Sequence, residues 1–111
     1  MVDDAAFFGA YVDNTLAACG GLKFYDDAVR YAEIKRVFVD SLFRSQGLAV
    51  GIMTAIEHHV RAEGVQWVRL EAGPLQPAAL RLYAKLGYQH RGPFGRYKLD
   101  PLSAFMEKSL T

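Results

Sequence analysis

The chain has 111 residues, of which 51% are hydrophobic and 23% are charged. These values are typical of one small folded domain with a single core, and an aromatic content of 13% argues against disorder. No apolar run approaches the roughly 20 residues of a membrane span, and a formal net charge of +1 argues against a nucleic-acid binder that works by bulk electrostatics. We therefore expect a single domain over residues 1–111, with no membrane and no nucleic acid among its partners.

The N-terminus and the cysteine content favour a cytoplasmic protein. The start, Met1-Val2-Asp3-Asp4, has no basic stretch of the kind that opens a signal peptide. Cys19 is the only cysteine, so no internal disulfide can form, which suits a reducing compartment. The adjacent His58 and His59 point to different sides of a helix, and His90 has no cysteine or carboxylate at ligand spacing. We therefore predict no metal site.

Three strands are predicted in the first half of the chain. Phe7 to Val12 is rich in aromatic and β-branched residues and is followed by the turn signal Asp13-Asn14. A second strand follows from Thr15 to Tyr25, in which Gly20-Gly21 marks a bulge or a very short turn. The third strand, Tyr31 to Val39, carries several β-branched residues. The first two strands together predict a hairpin.

An amphipathic helix is predicted from about Gly47 to Glu63, with Gly64 as its C-terminal stop. Its apolar face contains Ala49, Ile52, Met53, Ile56 and Val60, and its polar face is predicted to contain Thr54, Glu57, His58 and Arg61. A polar face of this kind is expected to contact solvent.

The remaining elements alternate between strands and one short helix. Val65 to Leu70 predicts a strand, and a helix begins at Pro77 and ends at Gly87. Tyr88 begins another strand, and Ser103 to Glu107 forms the last extended segment. Two hairpin strands followed by strand, helix, strand, helix and strand predict an α/β fold with a mixed sheet.

The segment from Arg44 to Met53 is the strongest candidate for a ligand site. It connects a strand to a helix, and its Gly47 lets a ligand approach the backbone closely. The first N–H groups of a helix are unpaired and carry partial positive charge, which favours a phosphate. No lysine follows Gly51, so a P-loop is excluded, and two glycines do not make the dinucleotide fingerprint. The segment therefore predicts an anion site for another phosphate-bearing ligand.

Five segments resemble the GCN5-related N-acetyltransferase (GNAT) family, in a bacterial branch. Arg44, Gly47 and Ala49 fill that family's pattern Arg/Gln-x-x-Gly-x-Gly/Ala, and Leu82-Tyr83-Ala84-Lys85-Leu86-Gly87-Tyr88 is similar to its Leu-Tyr-x-Lys-Leu-Gly-Phe/Tyr motif. Leu70 to Ala79 and the segments Gly95-Arg96-Tyr97 and Asp100 to Ser103 also resemble this branch. The resemblance extends from about Ala32 to the C-terminus. It departs from the family at Ala72, where threonine is usual, and at Gln76, where asparagine is common near the cofactor.

The resemblance implies an acyl-CoA N-acyltransferase-like fold that binds acetyl-CoA (coenzyme A) as co-substrate. The backbone amides that hold the pyrophosphate in the family fall on Gln46, Gly47, Leu48, Ala49 and Val50 of this sequence. Arg44 completes the same motif, and Gln76 lies near the coenzyme by the same comparison. The backbone near Phe38 and Val39 is expected to pair with the pantetheine arm as an additional strand would.

Two catalytic residues are implied by the same resemblance. Tyr83 matches a tyrosine that lies near the thioester sulfur and can protonate the leaving thiolate, whereas the alternative is a tyrosine that only packs in the core. Acetyl transfer needs a deprotonated amine, so a base is expected as well. Glu33 resembles a glutamate of the histone-acetyltransferase branch, and the alternative is an exposed glutamate at a strand end. Glu71 is the reserve candidate for the base.

The expected function is transfer of an acetyl group from acetyl-CoA to a primary amine by direct attack on the thioester. The acceptor is left open among a protein lysine, a protein N-terminus and a small-molecule amine. The alternative is a non-catalytic acyl-CoA-binding or regulatory module with the same fold. The family domain ordinarily begins with a strand and two helices that have no counterpart before Phe7. An N-terminally truncated domain would expose apolar sheet around Phe7, Phe8 and Tyr11, so a homodimer is expected.

Overall fold

A computed structural model describes residues 4–44, 46–73 and 77–111 of the chain. The elements follow in the order β1 (Ala5–Val12), β2 (Thr15–Tyr25), β3 (Tyr31–Val39), α1 (Leu48–Ala62), β4 (Trp67–Ala72), α2 (Pro77–Lys85), β5 (Gln89–Arg91) and β6 (Ala104–Ser109). A short 3-10 turn, Ser41–Phe43, lies between β3 and α1. In the described segments, no helix is both long and apolar enough to span a bilayer.

The strands form one mixed sheet in the order β1-β2-β3-β4-β6-β5. Among the described strands, β3 and β4 are the parallel pair, and α1 makes the crossover between them. Every other pairing is antiparallel. The α/β fold with a mixed sheet that the sequence predicts is therefore confirmed.

The N-terminal hairpin is formed by β1 and β2. Its turn residues Asp13 and Asn14 both have positive φ, 48° and 66°, as a two-residue type I′ turn requires. Gly20 and Gly21 remain paired with β1, opposite Phe8 and Phe7 respectively. Against β3, however, the register shifts between Cys19 and Gly21. Of the two alternatives for the glycine pair, the turn is therefore wrong: the pair marks a bulge, whose extra residue lies opposite it on β3.

The main core lies between the sheet and α1, which packs against β1, β2 and β3. Residues from five elements fill it at almost zero exposure, namely Ala18, Ala32, Met53, Ile56, Val60, Val68, Leu70 and Met106. Gly20 admits the helix here, because a Cβ at this position would lie 2.6 Å from the side chain of Ile52. This contact fixes how closely α1 approaches β2.

A Schellman-type turn ends α1 and delays the next strand. Gly64 has a φ of 75°, and the amide of Val65 donates to the carbonyl of Val60 over 3.2 Å. Val65 is apolar because the capping turn buries it, and not because it belongs to a strand. The predicted strand at Val65 to Leu70 therefore begins later, at Trp67, and ends at Ala72.

The opposite face of the sheet carries a second, aromatic cluster of Tyr31, Phe94 and Phe105. The guanidinium of Arg69 lies 4.5 Å from the centre of the Tyr31 ring. Its Nε donates to Glu107 over 3.0 Å, and Arg91 donates to the same carboxylate oxygen over 2.6 Å. Arg69 therefore links β3, β4 and β6 on the face that α1 does not cover.

Glu57 corrects the predicted helix faces. It was expected on the exposed polar face of α1, but only 7% of it is accessible. Its position is four residues after Met53 and three before Val60, which places it beside both on the helix surface. The assignment by polarity was wrong because two other elements supply partners: the Tyr88 hydroxyl donates to Oε2 over 2.9 Å, and the Lys108 ammonium donates to Oε1 over 2.9 Å.

We expect Glu57→Ala to lower the free energy of unfolding by about 2–3 kcal/mol, because it leaves a half-buried ammonium and a buried hydroxyl without their acceptor. Urea unfolding followed by circular dichroism measures the change. Glu63→Ala removes an exposed carboxylate next to the same helix and is the control, with an expected effect within about 0.5 kcal/mol. Equal effects of the two variants would contradict a structural role of Glu57.

Candidate active site

The turn before α1 has the geometry of an anion site. Gly47 is the N-cap residue with φ 73° and ψ 14°, and no side chain caps the helix. The first intrahelical bond of this turn runs from the Gly51 amide to the Gly47 carbonyl, so the amides before Gly51 point out of the helix end. A Cβ at Gly47 would meet no atom of the described residues within 4 Å apart from its chain neighbours, so the space beside Gly47 is open.

The predicted phosphate-binding residues lie together at this turn. Arg44, Gln46 and Val50 are exposed, whereas Leu48 and Ala49 are half-buried because they begin the packed face of α1. Arg44, three residues before Gly47 in the chain, carries a full positive charge and is exposed. Ser45 and the predicted site residue Gln76 lie outside the described residues.

The two central strands separate immediately beyond Glu33. The parallel pairing of β3 and β4 comprises Ala32↔Val68 and Glu33↔Arg69. Beyond these pairs β3 continues to Val39 and β4 continues to Ala72, with no further pairing between these described segments. The space between the two strands beyond these pairs is therefore open and forms a fork.

The backbone of β3 offers hydrogen-bonding groups to the fork. The amide of Asp40 donates to the Ala17 carbonyl over 2.8 Å, so Asp40 faces β2. Because an antiparallel strand alternates the direction of its backbone groups, Phe38 also faces β2 and Val39 faces the fork. Of the two residues expected to pair with a pantetheine arm, Val39 therefore presents its amide and carbonyl to that space.

A bulge bends β3 between Glu33 and Val39. Lys35 pairs with Gly21 and Phe38 pairs with Cys19, so the segment between Lys35 and Phe38 is one residue longer than its partner. Arg36, inside this segment, has a φ of 57°. A bulge re-aims the strand that carries it, and this one bends the part of β3 that borders the fork.

Glu33 lies at the base of the fork on the aromatic face of the sheet. Its neighbours Ala32 and Ile34 belong to the core under α1, so alternation points Glu33 to the other face. Only 4% of it is accessible. The Tyr97 hydroxyl donates to its Oε2 over 2.5 Å, and the Lys35 ammonium lies 3.7 Å from its Oε1. The alternative of an exposed strand-end glutamate is therefore wrong.

A cleft of about 750 Å³ opens in front of Glu33. Its wall is formed by β2, β3 and the segment between β5 and β6, and it includes Lys23, Tyr25, Tyr31, Lys35, Arg96 and Tyr97. Gly95 brings this segment against the sheet, because a Cβ there would lie 2.9 Å from the Tyr31 hydroxyl. The cleft is large enough for a small molecule or for one side chain of a larger partner.

Tyr97 holds the Glu33 carboxylate as a hydrogen-bond donor. Burial, together with the hydrogen bond to Glu33 and its negative charge, raises the pKa of Tyr97 well above its ordinary value. The phenol therefore keeps its proton near neutral pH, and the second carboxylate oxygen is left toward Lys35 and the cleft. No sequence pattern assigns Tyr97 a role in the site, although it lies in the Gly95-Arg96-Tyr97 segment that resembles the family.

Tyr83 is buried on the other face of the sheet. It is 9% accessible, it belongs to the core under α1, and its ring packs edge-to-face on Tyr88 at 6.0 Å. Burial raises the pKa of Tyr83, so the hydroxyl remains protonated. The structure does not bring Tyr83 and Glu33 together on one face. A gap between two strands is open to both faces, however, so groups from either side can act on a molecule that occupies it.

Glu71, the reserve candidate for the base, accepts a hydrogen bond from the Ser103 hydroxyl over 2.6 Å. It lies on β4 beyond the last β3 pair and is half-buried, so it borders the fork as well. Across residues 4–44, 46–73 and 77–111, no group of three or more His, Cys, Asp or Glu side chains could hold a metal ion.

Comparison with known proteins identifies the family. The family model "Acetyltransferase (GNAT) family" matches residues 1–88. An IAA acetyltransferase of Azospirillum brasilense is 39% identical over 107 residues, which cover 96% of this chain and 69% of that protein. The chain therefore belongs to the GNAT family of acetyltransferases and is an acyltransferase of that family, as the sequence predicts.

Solved structures agree with this assignment. A Klebsiella pneumoniae protein, named as an acyl-CoA N-acyltransferase, superimposes with a TM-score of 0.90 at 34% identity and covers 97% of this chain and 74% of its own. The PaiA N-acetyltransferase of Thermoplasma acidophilum, solved in complex with coenzyme A, gives a TM-score of 0.82 at 22% identity, over 96% of this chain and 61% of that one. The second comparison supports the fold alone. The acyl-CoA N-acyltransferase-like fold is confirmed.

The contact between Tyr97 and Glu33 predicts a pH dependence of stability. An unfolded tyrosine ionises near pH ~10, whereas the folded pKa of Tyr97 is higher. Between these two values the folded state binds the proton more tightly, so stability falls as the pH rises. We expect Tyr97→Phe to reduce the loss of stability between about pH 9 and about pH 11, measured by urea unfolding at each pH.

Tyr11→Phe is the matched control, since Tyr11 is 69% exposed on β1 and outside the cleft. If Tyr97→Phe and Tyr11→Phe change the alkaline loss of stability by the same amount, the hydrogen bond from Tyr97 to Glu33 does not form in solution.

Proposed function

We propose that this protein transfers the acetyl group of acetyl-CoA to a primary amine. The observation that carries the proposal is that one strand, β3, links all the parts such a reaction needs. It places Glu33 at the base of the fork, turns the backbone of Val39 into the fork, and leads through residues 40–46 to the open helix end at Gly47.

The turn at Gly47 fits the pyrophosphate of coenzyme A. The amides of Leu48, Ala49 and Val50 point outward at the positive end of a 15-residue helix, which favours a polyanion. Gln46 and Gly47 extend this row of amides, and Arg44 supplies a cation. Because the position of a Gly47 Cβ is empty, a phosphate can come within hydrogen-bonding distance of the backbone.

The fork fits the arm that follows the pyrophosphate. Its edge on β3 has the free amide and carbonyl of Val39, which can pair with an extended amide-containing chain as a neighbouring strand would. The exposed side chain of Phe38 lies next to it. Acetyl-CoA supplies an activated thioester, and this arrangement directs the thioester end toward Glu33.

The acceptor amine reaches the fork from the cleft and attacks the thioester directly. A lysine-like amine has a pKa near 10.4, so it must lose a proton before or during the attack. That first proton goes to solvent, and Glu33 accepts the second proton, which the nitrogen releases as it attacks, on the oxygen that Tyr97 does not occupy. As the new N–C bond forms, the C–S bond breaks, and the buried hydroxyl of Tyr83 donates the proton that the leaving sulfur needs. Much of the rate enhancement then comes from proximity, because the fork holds both reactants together.

We further propose that the protein self-associates through β1. This strand is at one end of the sheet order, so its outer edge has unpaired backbone groups in the described part of the chain. Phe7 is 63% exposed and Tyr11 is 69% exposed on it, as the sequence predicts, whereas Phe8 packs against the core. A second copy fits this surface, because a two-fold axis pairs an antiparallel edge with itself.

Coenzyme binding is predicted to depend on the Gly47 turn. Gly47→Asp places a negative charge in front of the amides, so we expect affinity for coenzyme A, measured by calorimetry, to fall at least about tenfold below that of Gly47→Asn. The two variants share the strain of a side chain at φ 73°, so their difference reports the charge. Gly64→Asp, at φ 75° at the opposite end of α1, is the control. Undiminished affinity in Gly47→Asp would remove the turn from the site.

Proton transfer is predicted to depend on Tyr83. We expect Tyr83→Phe to lower kcat by about 10²–10⁴-fold with nearly unchanged coenzyme affinity, because the phenyl ring packs equally well but has no proton to donate. Tyr88→Phe removes the neighbouring hydroxyl, which bonds Glu57, and should reduce stability but not kcat. An unchanged kcat in Tyr83→Phe would leave Tyr83 as a core residue only.

Glu33→Gln is the companion variant. Its loss of rate should be greatest below the pKa of the acceptor amine, where a base is needed, and should diminish above it. Free-thiol release measured across pH gives the profile. A profile that matches the wild type would move the base to Glu71 or to a bound water.

Self-association is predicted to depend on β1. Light scattering at micromolar concentration should report a dimer of the 12.4 kDa chain. Tyr11→Lys should shift the protein toward monomer, because two like charges would face each other across the two-fold axis. Leu99→Lys changes a residue that is 86% exposed outside β1 and should not. A stable wild-type monomer would contradict the proposal.

A further inference from the structure

We infer that the acceptor is a short aminocarboxylate, an amine with a carboxylate a few bonds from its nitrogen. This inference rests on the proposed function and names the class of acceptor for that same cleft. The cleft holds a buried carboxylate with cations on both sides of it, and this distribution of charge complements a zwitterion.

The charges have fixed positions on two paired strands. On the aromatic face of the sheet, Lys23 of β2 lies directly opposite Glu33 of β3, and Tyr25 lies opposite Tyr31. The ammonium groups of Lys23 and Lys35 lie 5.3 Å and 5.7 Å from the centre of the Tyr25 ring. One aromatic ring therefore holds two ammonium groups beside a single buried carboxylate.

The acidic residues at the mouth of the cleft, Asp26 and Asp27, offset only part of this positive charge. Asp26, in the turn after β2, accepts a hydrogen bond from Arg30 over 2.8 Å and is already paired. Arg96 adds a further cation on the opposite wall, and Asp27 is exposed in the same turn as Asp26. An acceptor with a second ammonium would meet repulsion from the lysines, whereas a carboxylate would be attracted.

The distance between Lys35 and Glu33 limits the length of the acceptor. Lys35 Nζ is 3.7 Å from Glu33 Oε1, too long for a hydrogen bond and short enough for one ligand to contact both groups. An amine at Glu33 and a carboxylate at Lys35 would complete a ring of four alternating charges. With charge-assisted contacts of about 2.8 Å, the ligand's own two charged groups lie within a few bonds of each other.

The reaction itself favours release of such a product. The bound ammonium first gives one proton to solvent. The neutral amine nitrogen then forms the new bond to the acetyl carbon, the C–S bond breaks, the second nitrogen proton passes to Glu33, and the thiolate takes a proton from Tyr83. Return of the Glu33 proton to the Tyr83 phenolate through solvent restores the carboxylate and the hydroxyl. The product nitrogen is then a neutral amide. Its attraction to the Glu33 carboxylate is lost, while the carboxylate of the product still contacts the lysines. Binding in the cleft is therefore weaker after transfer than before it.

The test compares acceptors that differ only in the carboxylate. Free-thiol release with acetyl-CoA is measured for glycine, β-alanine and phenylalanine and for the amide of each, with kcat/KM expressed per concentration of free amine. We expect each aminocarboxylate to exceed its amide by at least about tenfold, mainly through a lower KM. Equal or higher kcat/KM for the amides, or preference for a diamine such as 1,4-diaminobutane, would overturn the inference.

A charge-reversed variant tests whether the preference for an aminocarboxylate over its amide comes from the cleft. Lys23→Glu should raise KM for the aminocarboxylates by about tenfold or more, leave kcat nearly unchanged, and reduce the preference over the amides. Arg61→Gln removes an exposed cation from the far end of α1 and should leave every acceptor unchanged. If Lys23→Glu leaves the preference intact, Lys23 does not bind the acceptor.

A binding measurement separates this inference from the proposed function. If no amine releases thiol, the proposed function fails, and calorimetry with the coenzyme A complex still compares each aminocarboxylate with its amide. Tighter binding of the aminocarboxylate, lost in Lys23→Glu, would support the inference without catalysis. Equal binding of the two would overturn it.

Discussion

The end of the parallel pairing between β3 and β4 is the constraint on which the rest of the site depends. Two neighbouring strands of a sheet normally satisfy each other's backbone groups along their shared length. Here the pairing stops at Glu33 and Arg69, although both strands continue. The backbone of Val39 is therefore left facing a gap, and the gap is where an extended ligand can take the place of a strand.

The two ends of the fork are held by different means. At its base, Arg69 is fixed by the Glu107 carboxylate and the Tyr31 ring, which keeps the last β3–β4 pair in place. At its open end, the bulge at Arg36 bends β3, and the chain then passes through Asp40, whose carboxylate caps the 3-10 turn, to the N-terminus of α1. A paired base and a bent arm together keep the gap open.

The sequence predicts most of the fold because its local signals agree with the tertiary structure. Asp13 and Asn14 tolerate the positive φ that their turn requires, and the glycines at positions 47 and 64 mark both ends of α1. The Gly47 turn could be found in the sequence because a helix N-terminus is a local feature. Glu57 and Tyr97 could not, since their roles come from partners 31 and 64 residues away in the chain. Polarity alone placed Glu57 in solvent, and no local pattern distinguishes Tyr97 from an ordinary loop tyrosine.

The two buried carboxylates have the same kinds of partners but differ in how completely those partners occupy them. Glu57 and Glu33 are each bonded by a tyrosine hydroxyl and approached by a lysine ammonium, on opposite faces of the same sheet. Lys108 completes a 2.9 Å hydrogen bond to Glu57, so both oxygens of that carboxylate have donors and it holds α1 to β6. Lys35 stops at 3.7 Å from Glu33, in front of an open cleft. The residue types are the same at both sites. The difference of 0.8 Å in the lysine distance leaves Oε1 of Glu33 without a hydrogen-bond donor among the described residues, whereas both oxygens of Glu57 have one.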